Sequence, residues 1–201
     1  VNPGLIMVRI SGFGQNGPYA ERGGYGVICE AVSVLREITG DPDRPPPRVA
    51  TSMADYIAGL YGAFGAMMAV YKRTETGRGQ MIDTSLYEAS FSFMEPHIPV
   101  FQKLGVVAKR AGPLLPGNSP NSIYPTKDGR YILLAAASDA VFKRLAAAMG
   151  RLELTDDPKF ASAMARAKNQ VECDAAVADW TLSLDLSDAE AALNEAKVPA
   201  A

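Results

Sequence analysis

"TSMADYIAGLYGAFGAMMAVYK", residues Thr51 to Lys72, is the stretch on which the reading of the whole chain turns. Its one charged residue before the closing lysine is Asp55, and 16 uncharged residues rich in Ala, Gly and large apolar side chains follow it. The run predicts a long helix, to about Thr74, that looks built for burial. Burial makes Asp55 a question, because an ionised carboxylate withdrawn from water is costly unless paired or hydrogen-bonded. One answer is structural. Ser52-Met53-Ala54-Asp55 fits the [ST]-x-x-[DE] capping box, and on that reading Ser52→Ala costs ~1 kcal/mol. The other answer is chemical. The positive end of a helix holds a carboxylate ionised, as a nucleophilic carboxylate requires, and Ala54, Ala58 and Gly59 leave room for a bulky substrate. Residue types alone leave both open.

Upstream, "LIMVRI" (Leu5–Ile10) is a short apolar, β-branched run expected to form a buried strand. "SGFGQNGPYAERGGYG" follows as a loop dense in glycine. Val27–Ile38 has helical spacing and ends at Thr39-Gly40, and "DPDRPPPR" (Asp41–Arg48), with four prolines in eight residues, excludes regular structure. Downstream, Gly77 in "TGRGQ" is placed to end the long helix in a left-handed conformation. "MIDTS" reads as a strand, and Leu86–Leu104 as helix interrupted by Pro96 and Pro99. Strand, helix and strand in this order suggest an α/β layer.

Composition changes after Leu104. "AKRAGPLLPGNSPNS" (Ala108–Ser122) reads as a linker or extended loop, and "IYPTKDGRYILLAAA" as a hairpin turning at Lys127-Asp128-Gly129. Three helices are expected at Ser138–Met149, Gln170–Leu182 and Ser187–Ala196, with Ser138 and Ser187 as N-caps and Glu190 completing a capping box with Ser187.

The bulk numbers narrow the function. The 201 residues are 48% apolar and 21% charged, an ordinary globular composition. A net charge of −2 gives no electrostatic case for a nucleic acid or anionic membrane partner. Cys29 and Cys173 lack any CxxC partner and fit reduced thiols of a cytoplasmic protein. His97 is the only histidine, which argues against a His-based metal site. The Tyr56–Tyr71 run carries three glycines and falls short of the ~18 residues of a membrane span, and no signal peptide pattern is present. The opening "VNPGLIMVRI" and the closing "EAKVPAA" both look cut, so the chain is expected to be a piece of a longer protein. Gly12-Phe13-Gly14-Gln15-Asn16-Gly17 matches GxGxxG after a strand. The dinucleotide fingerprint, however, needs that loop to open an amphipathic helix, and Pro18 and a polar stretch follow instead.

Read together, "NPGLIMVRISGFGQNGPYAERGGY", "ADYIAGLYGAFGAMMAVYKRTETGRGQMIDTSLYEA" and "GNSPNSIYPTKDGRYILLAA" resemble the class III CoA-transferase family, the carnitine dehydratase/bile-acid-inducible F type. They come in family order and spacing, and with the helical tail they cover nearly the whole chain. The resemblance implies an α/β fold in which residues 1–107 are the middle part of a Rossmann-like large domain, 108–122 a linker, and 123–201 a truncated small α+β domain. It implies an interlocked homodimer, with acyl-CoA and a small carboxylic acid as substrates and no permanently bound cofactor. Asp55 matches the family's catalytic aspartate, which attacks the acyl-CoA thioester and carries the CoA as an aspartyl thioester before a carboxylic acid collects it. Tyr25 would shape or hydrogen-bond the thioester site. Gly14 and Gln15, in the glycine-rich loop, are further substrate-binding candidates. Gly117 and Asn118 are candidates for the family's mobile loop, although its run of several glycines is absent. Related acyl-CoA racemases place a histidine where Tyr25 stands, and His97 lies well beyond that position. A racemase therefore remains the alternative enzyme, and a non-catalytic CoA-binding or assembly subunit the alternative of another class.

Overall fold

The computed structural model describes residues 2–201, which divide into two units, one running to Gly112 and the other Pro113–Ala201.

The first unit is organised by two parallel strands. β1 (Met7–Ser11) pairs with β2 (Met81–Ser85) in a register that sets Met7 beside Met81 and Ser11 beside Ser85. A parallel pair needs a crossover, and the sequence supplies it as α1 (Gly26–Val32) followed by α2 (Met53–Thr76). α2 reaches the strands along a stripe of small residues. Ala54, Ala58, Gly62 and Ala69 are buried, and a Cβ at Gly62 would lie 3.1 Å from Val8 Cγ1. On the other side Tyr56, Leu60, Phe64, Met67 and Tyr71 are exposed. α2 is 24 residues long and apolar enough, by length and composition, to cross a membrane. Counting an unbroken apolar run understates it, because two of the three glycines that interrupt the run, Gly62 and Gly65, are where the helix meets the sheet. Gly77, at φ 66°, closes α2 as expected, its N–H donating to Arg73 O at 2.8 Å.

Three expectations fail in this unit. β1 is not buried: Met7 is 46% and Ile10 51% exposed, because one helix covers a single face of a two-stranded sheet. The helix expected at Val27–Ile38 ends at Val32, where Ser33 caps it and Val34 turns to a φ of 70°. Ser52 occupies the N-cap of α2, but its side chain makes no capping bond, so the capping box is not formed there. A side-chain capping bond forms at Ser85 instead, which caps α3 (Leu86–Phe91). Ser85 Oγ accepts from Glu88 N at 3.0 Å and donates to Glu88 Oε2 at 2.7 Å. "SLYE" carries that signature in the sequence. A 3-10 turn (Ser92–Met94) and α4 (His97–Leu104) complete the segment, the break falling at Pro96.

The second unit opens with the antiparallel hairpin of β3 (Asn121–Pro125) and β4 (Tyr131–Ala135), turning through Gly129 at φ 73°. Ile132 and Leu134 face the core while Tyr131 and Leu133 face outward, the alternation a half-covered sheet requires. Around that face pack α5 (Asp139–Ala148), α7 (Gln170–Thr181) and α8 (Leu186–Glu195), burying Phe142, Leu145, Val177 and Leu193. A short α6 (Ala163–Lys168) was not expected from the sequence. It brings Arg166, 1% exposed, to donate to Ser119 O, Phe160 O, Ala137 O and Asp139 Oδ1, with its guanidinium 4.3 Å over the Phe142 ring. α8 begins at Leu186 with Asp185 at its N-cap, so Ser187 lies inside the helix. Neither Asp185 nor Ser138, which does precede α5, makes a side-chain capping bond.

Candidate active site

Beyond the carboxyl ends of β1 and β2 the chain folds two glycine-rich stretches against each other. A Cβ at Gly12 would lie 2.6 Å from Gly24 Cα, and one at Gly24 would lie 2.8 Å from Gly12 Cα, so the two backbones touch where any side chain would part them. Gly12 O accepts from Tyr87 N at 3.0 Å and from the Cys29 thiol at 3.3 Å. These bonds tie the start of α1 and the start of α3 to the residue that follows β1. The next residues are also engaged. Gly14 N–H donates to Ser11 Oγ at 3.1 Å and Gln15 N–H to Asp83 Oδ2 at 2.8 Å. The two central amides of the GxGxxG loop are therefore spent within the chain, one of them on a carboxylate. An anionic phosphate has no reason to settle there, and at Gln15 the side chain is what remains for a ligand.

Tyr25 stands at the N-cap of α1 with an extended backbone (φ −104°, ψ 161°). Its carbonyl accepts from Ile28 N and Cys29 N, and its ring is 82% exposed. Gly26, the first residue of α1, is buried against Asp55: a Cβ there would collide with Asp55 Oδ2 and lie 3.2 Å from Asp55 Cγ. Asp55 itself is exposed, in the first turn of α2. The ion pairs of the described residues all lie elsewhere, and the side-chain hydrogen bonds that carboxylates accept go to other acids. So the question raised by an acid in an apolar helix has a geometric answer. Asp55 reaches the surface at the helix start, where the dipole favours its charge, and no partner among the described residues neutralises it.

Beside it Cys29 is buried, and burial pushes its thiol above the ordinary range, with the Asp55 and Glu30 carboxylates adding to the shift. Glu30 is 1% exposed, and neither of its carboxylate oxygens has a hydrogen-bond partner among the described residues. A cavity lined by Tyr61, Asp83, Ser85, Glu88 and Ser92 opens at the end of β2, the side of a parallel sheet where ligands are usually held.

A profile described as CoA-transferase family III matches residues 1–201. The chain belongs to that family. The succinyl-CoA–D-citramalate CoA-transferase of Chloroflexus aurantiacus is 44% identical over 200 residues, covering 100% of this chain and 50% of that protein. The succinate–glutarate CoA-transferase of Agrobacterium fabrum is 32% identical over 200 residues, with 100% and 50% coverage. Among solved structures, a CAIB/BAIF family protein from Brucella suis superposes with a TM-score of 0.77 at 33% identity, covering 99% of this chain and 52% of that one. A hypothetical protein from Mycobacterium tuberculosis, at 21% identity, shares the fold with a TM-score of 0.84, covering 100% and 53%. The chain thus spans about half the length of the relatives it matches.

Within this family III chain, Tyr25 and Asp55 come together through Gly26. Gly14 and Gln15 gather on Asp83 instead. Gly117 and Asn118 belong to the second unit. There Gly117 is at φ 76°, Asn118 N–H donates to Leu115 O at 3.1 Å, and Asn118 Oδ1 accepts from Asn121 Nδ2 at 3.3 Å. Gly26, Cys29 and Asp83 escaped the sequence reading. Each matters through a residue distant in sequence, and no local pattern marks such a contact.

Proposed function

We propose that the protein transfers coenzyme A from an acyl-CoA to a carboxylic acid through covalent intermediates on Asp55. The observation that carries this reading is the exposed, unpaired Asp55 carboxylate at the start of α2, beside Tyr25 and Gly26, in a chain of CoA-transferase family III. A carboxylate oxygen of Asp55 attacks the thioester carbonyl carbon. The C–S bond breaks, the thiolate leaves, and an acyl–aspartyl anhydride remains. The thiolate then attacks the Asp55 carbonyl, releasing the donor's carboxylate and leaving an aspartyl-CoA thioester. The incoming carboxylate repeats the two steps in reverse, so a new acyl-CoA departs, Asp55 is regenerated, and no proton is gained or lost. Each addition places negative charge on a carbonyl oxygen. The Gly26 and Val27 amides, which open α1 and donate to nothing among the described residues, are suited to receive it, and Tyr25 adds a hydroxyl donor on the exposed side.

The relatives' names pair succinyl-CoA with D-citramalate or L-malate, and succinate with glutarate, all of them dicarboxylic acids. Short dicarboxylic acids are accordingly the acceptors we favour. CoA enters as substrate. Gln15 and the Gly117-Asn118 segment are assigned to substrate contact and to a covering loop. We assign the active form to an interlocked homodimer in the cytoplasm, in keeping with two free, buried cysteines.

The test is to incubate the protein at its full natural length with succinyl-CoA or acetyl-CoA, trap with hydroxylamine, and weigh the peptide that contains Asp55. A mass increase on that peptide, lost in Asp55→Ala, supports the reading. Exchange of deuterium at the substrate α-carbon with no adduct would replace it with a racemase. Binding of CoA with neither outcome would favour a non-catalytic subunit.

A further inference from the structure

Gly26 meets Asp55 in a way no other described glycine meets a neighbour. Gly12 and Gly24 lie against backbone, and Gly23 and Gly59 face open space. Gly14 and Gly112, which also face carboxylates, leave 3.6 Å to Asp83 Oδ2 and 3.2 Å to Asp41 Oδ1. At Gly26 a side chain would overlap Asp55 Oδ2, lie 3.2 Å from Asp55 Cγ and reach 3.5 Å from Ala54 Cβ. The backbone at this position is not free to retreat. Tyr25 O before it accepts from Ile28 N at 2.9 Å and Cys29 N at 3.0 Å, and the Cys29 thiol one turn on donates to Gly12 O. Gly24, two residues earlier, is wedged against Gly12. Asp55, by contrast, is a short side chain on an exposed first turn, held by no ion pair among the described residues. A side chain at 26 would thus move the carboxylate and leave the helices where they are.

We propose that Gly26 is the positioning residue of the transfer reaction. Its bare Cα is the floor on which the Asp55 carboxylate lies, and that floor sets the direction from which Asp55 attacks. This rests on Asp55 being the nucleophile. A displaced nucleophile is expensive, since a misplacement of about 1 Å can cost roughly 100-fold in rate. Gly26→Ala should therefore lower kcat by about that factor while leaving KM and the affinity for free CoA unchanged, the pattern of an interaction felt in the transition state only.

The experiment uses the full-length protein and succinyl-CoA, with hydroxylamine trapping in single turnover. In Gly26→Ala the Asp55 peptide should label about 100-fold more slowly than in the wild type, and Gly23→Ala should label at the wild-type rate. A thermal-unfolding cycle gives a second, activity-free measurement. The change in Tm on Gly26→Ala should be more favourable in an Asp55→Ala background, where the group it meets is gone, than in the wild type. If Gly26→Ala folds poorly, recovery of Tm in the double variant still reports the contact. Labelling of Gly26→Ala at the wild-type rate, or an equal change of Tm in both backgrounds, overturns the proposal. A wild-type protein that never labels Asp55 while its Tm cycle shows coupling removes instead the nucleophile reading on which the proposal stands, so the two failures are told apart.

Discussion

Replacing Arg166 by methionine keeps the length and most of the volume of the side chain while deleting every donor, and it should unfold the second unit's core first. Arg166 is 1% exposed and donates to Ser119 O at 3.3 Å, Phe160 O at 2.7 Å, Ala137 O at 2.6 Å and Asp139 Oδ1 at 2.8 Å. Three of these acceptors are main-chain carbonyls fixed by the surrounding turns. Each left without a donor costs about 1–3 kcal/mol, so three bracket about 3–9 kcal/mol. Relaxation and entering water lower the upper limit, and breaking a buried charged group's partnership costs about 3–5 kcal/mol in proteins generally. Asp139 adds little to the loss, because its side chain is 64% exposed and solvent takes it back. The expected destabilisation is about 4 kcal/mol, a large share of the roughly 5–15 kcal/mol by which a domain is stable. Trp180, the chain's single tryptophan, packs against this core and reports its unfolding by fluorescence. In urea the transition should move down by about 2 M at an ordinary denaturant slope. A loss below about 1 kcal/mol would refute the reasoning, since it would mean that the three carbonyls find other donors once the guanidinium has gone.

Two more predictions come from hydrogen bonds of the structure. Tyr124 is buried and its hydroxyl donates to Asp174 Oδ1 at 2.7 Å; burial, then this bond, push its ionisation far above the ordinary value. A folded-state pKa raised in this way stabilises the fold below the unfolded-state value of about 10 and is lost as pH rises beyond it. Tyr124→Phe should then flatten the fall in stability above about pH 10 and cost about 1–3 kcal/mol at neutral pH, both read from urea curves across pH; an unaltered slope would contradict it. Ser85→Ala removes a formed capping bond and should cost about 1 kcal/mol, whereas Ser52→Ala, whose side chain caps nothing, should cost well under that. Equal losses in thermal unfolding would show that the Ser52 hydroxyl caps α2 after all.

Much of the secondary structure of both units was legible in the sequence, because its signals are local. A proline-free apolar run announces α2, Gly77 ends it, "MIDTS" is a strand, and Lys127-Asp128-Gly129 turns the hairpin. Local signals misled where two competed for one job. Ser52 and Ser85 both carry the capping-box pattern, and only the φ and ψ of each N-cap decided which hydroxyl reaches an amide. Val27–Ile38 keeps helical spacing, yet the chain leaves the helix at Ser33 to enter the proline-rich loop.

The sequence by itself determined the kind of chemistry to look for: a lone acid heading an apolar helix, among segments in the order and spacing of a CoA-transferase. It could not show that Asp55 is exposed and unpaired, or what lies beneath its carboxylate. Those depend on Gly26, 29 residues earlier, and on the contact of Gly12 with Gly24 that carries Gly26 there. A glycine's local signal concerns its own φ and ψ. The place a missing side chain leaves for another residue's oxygen exists only once the two segments have packed, and so tertiary structure alone decided it.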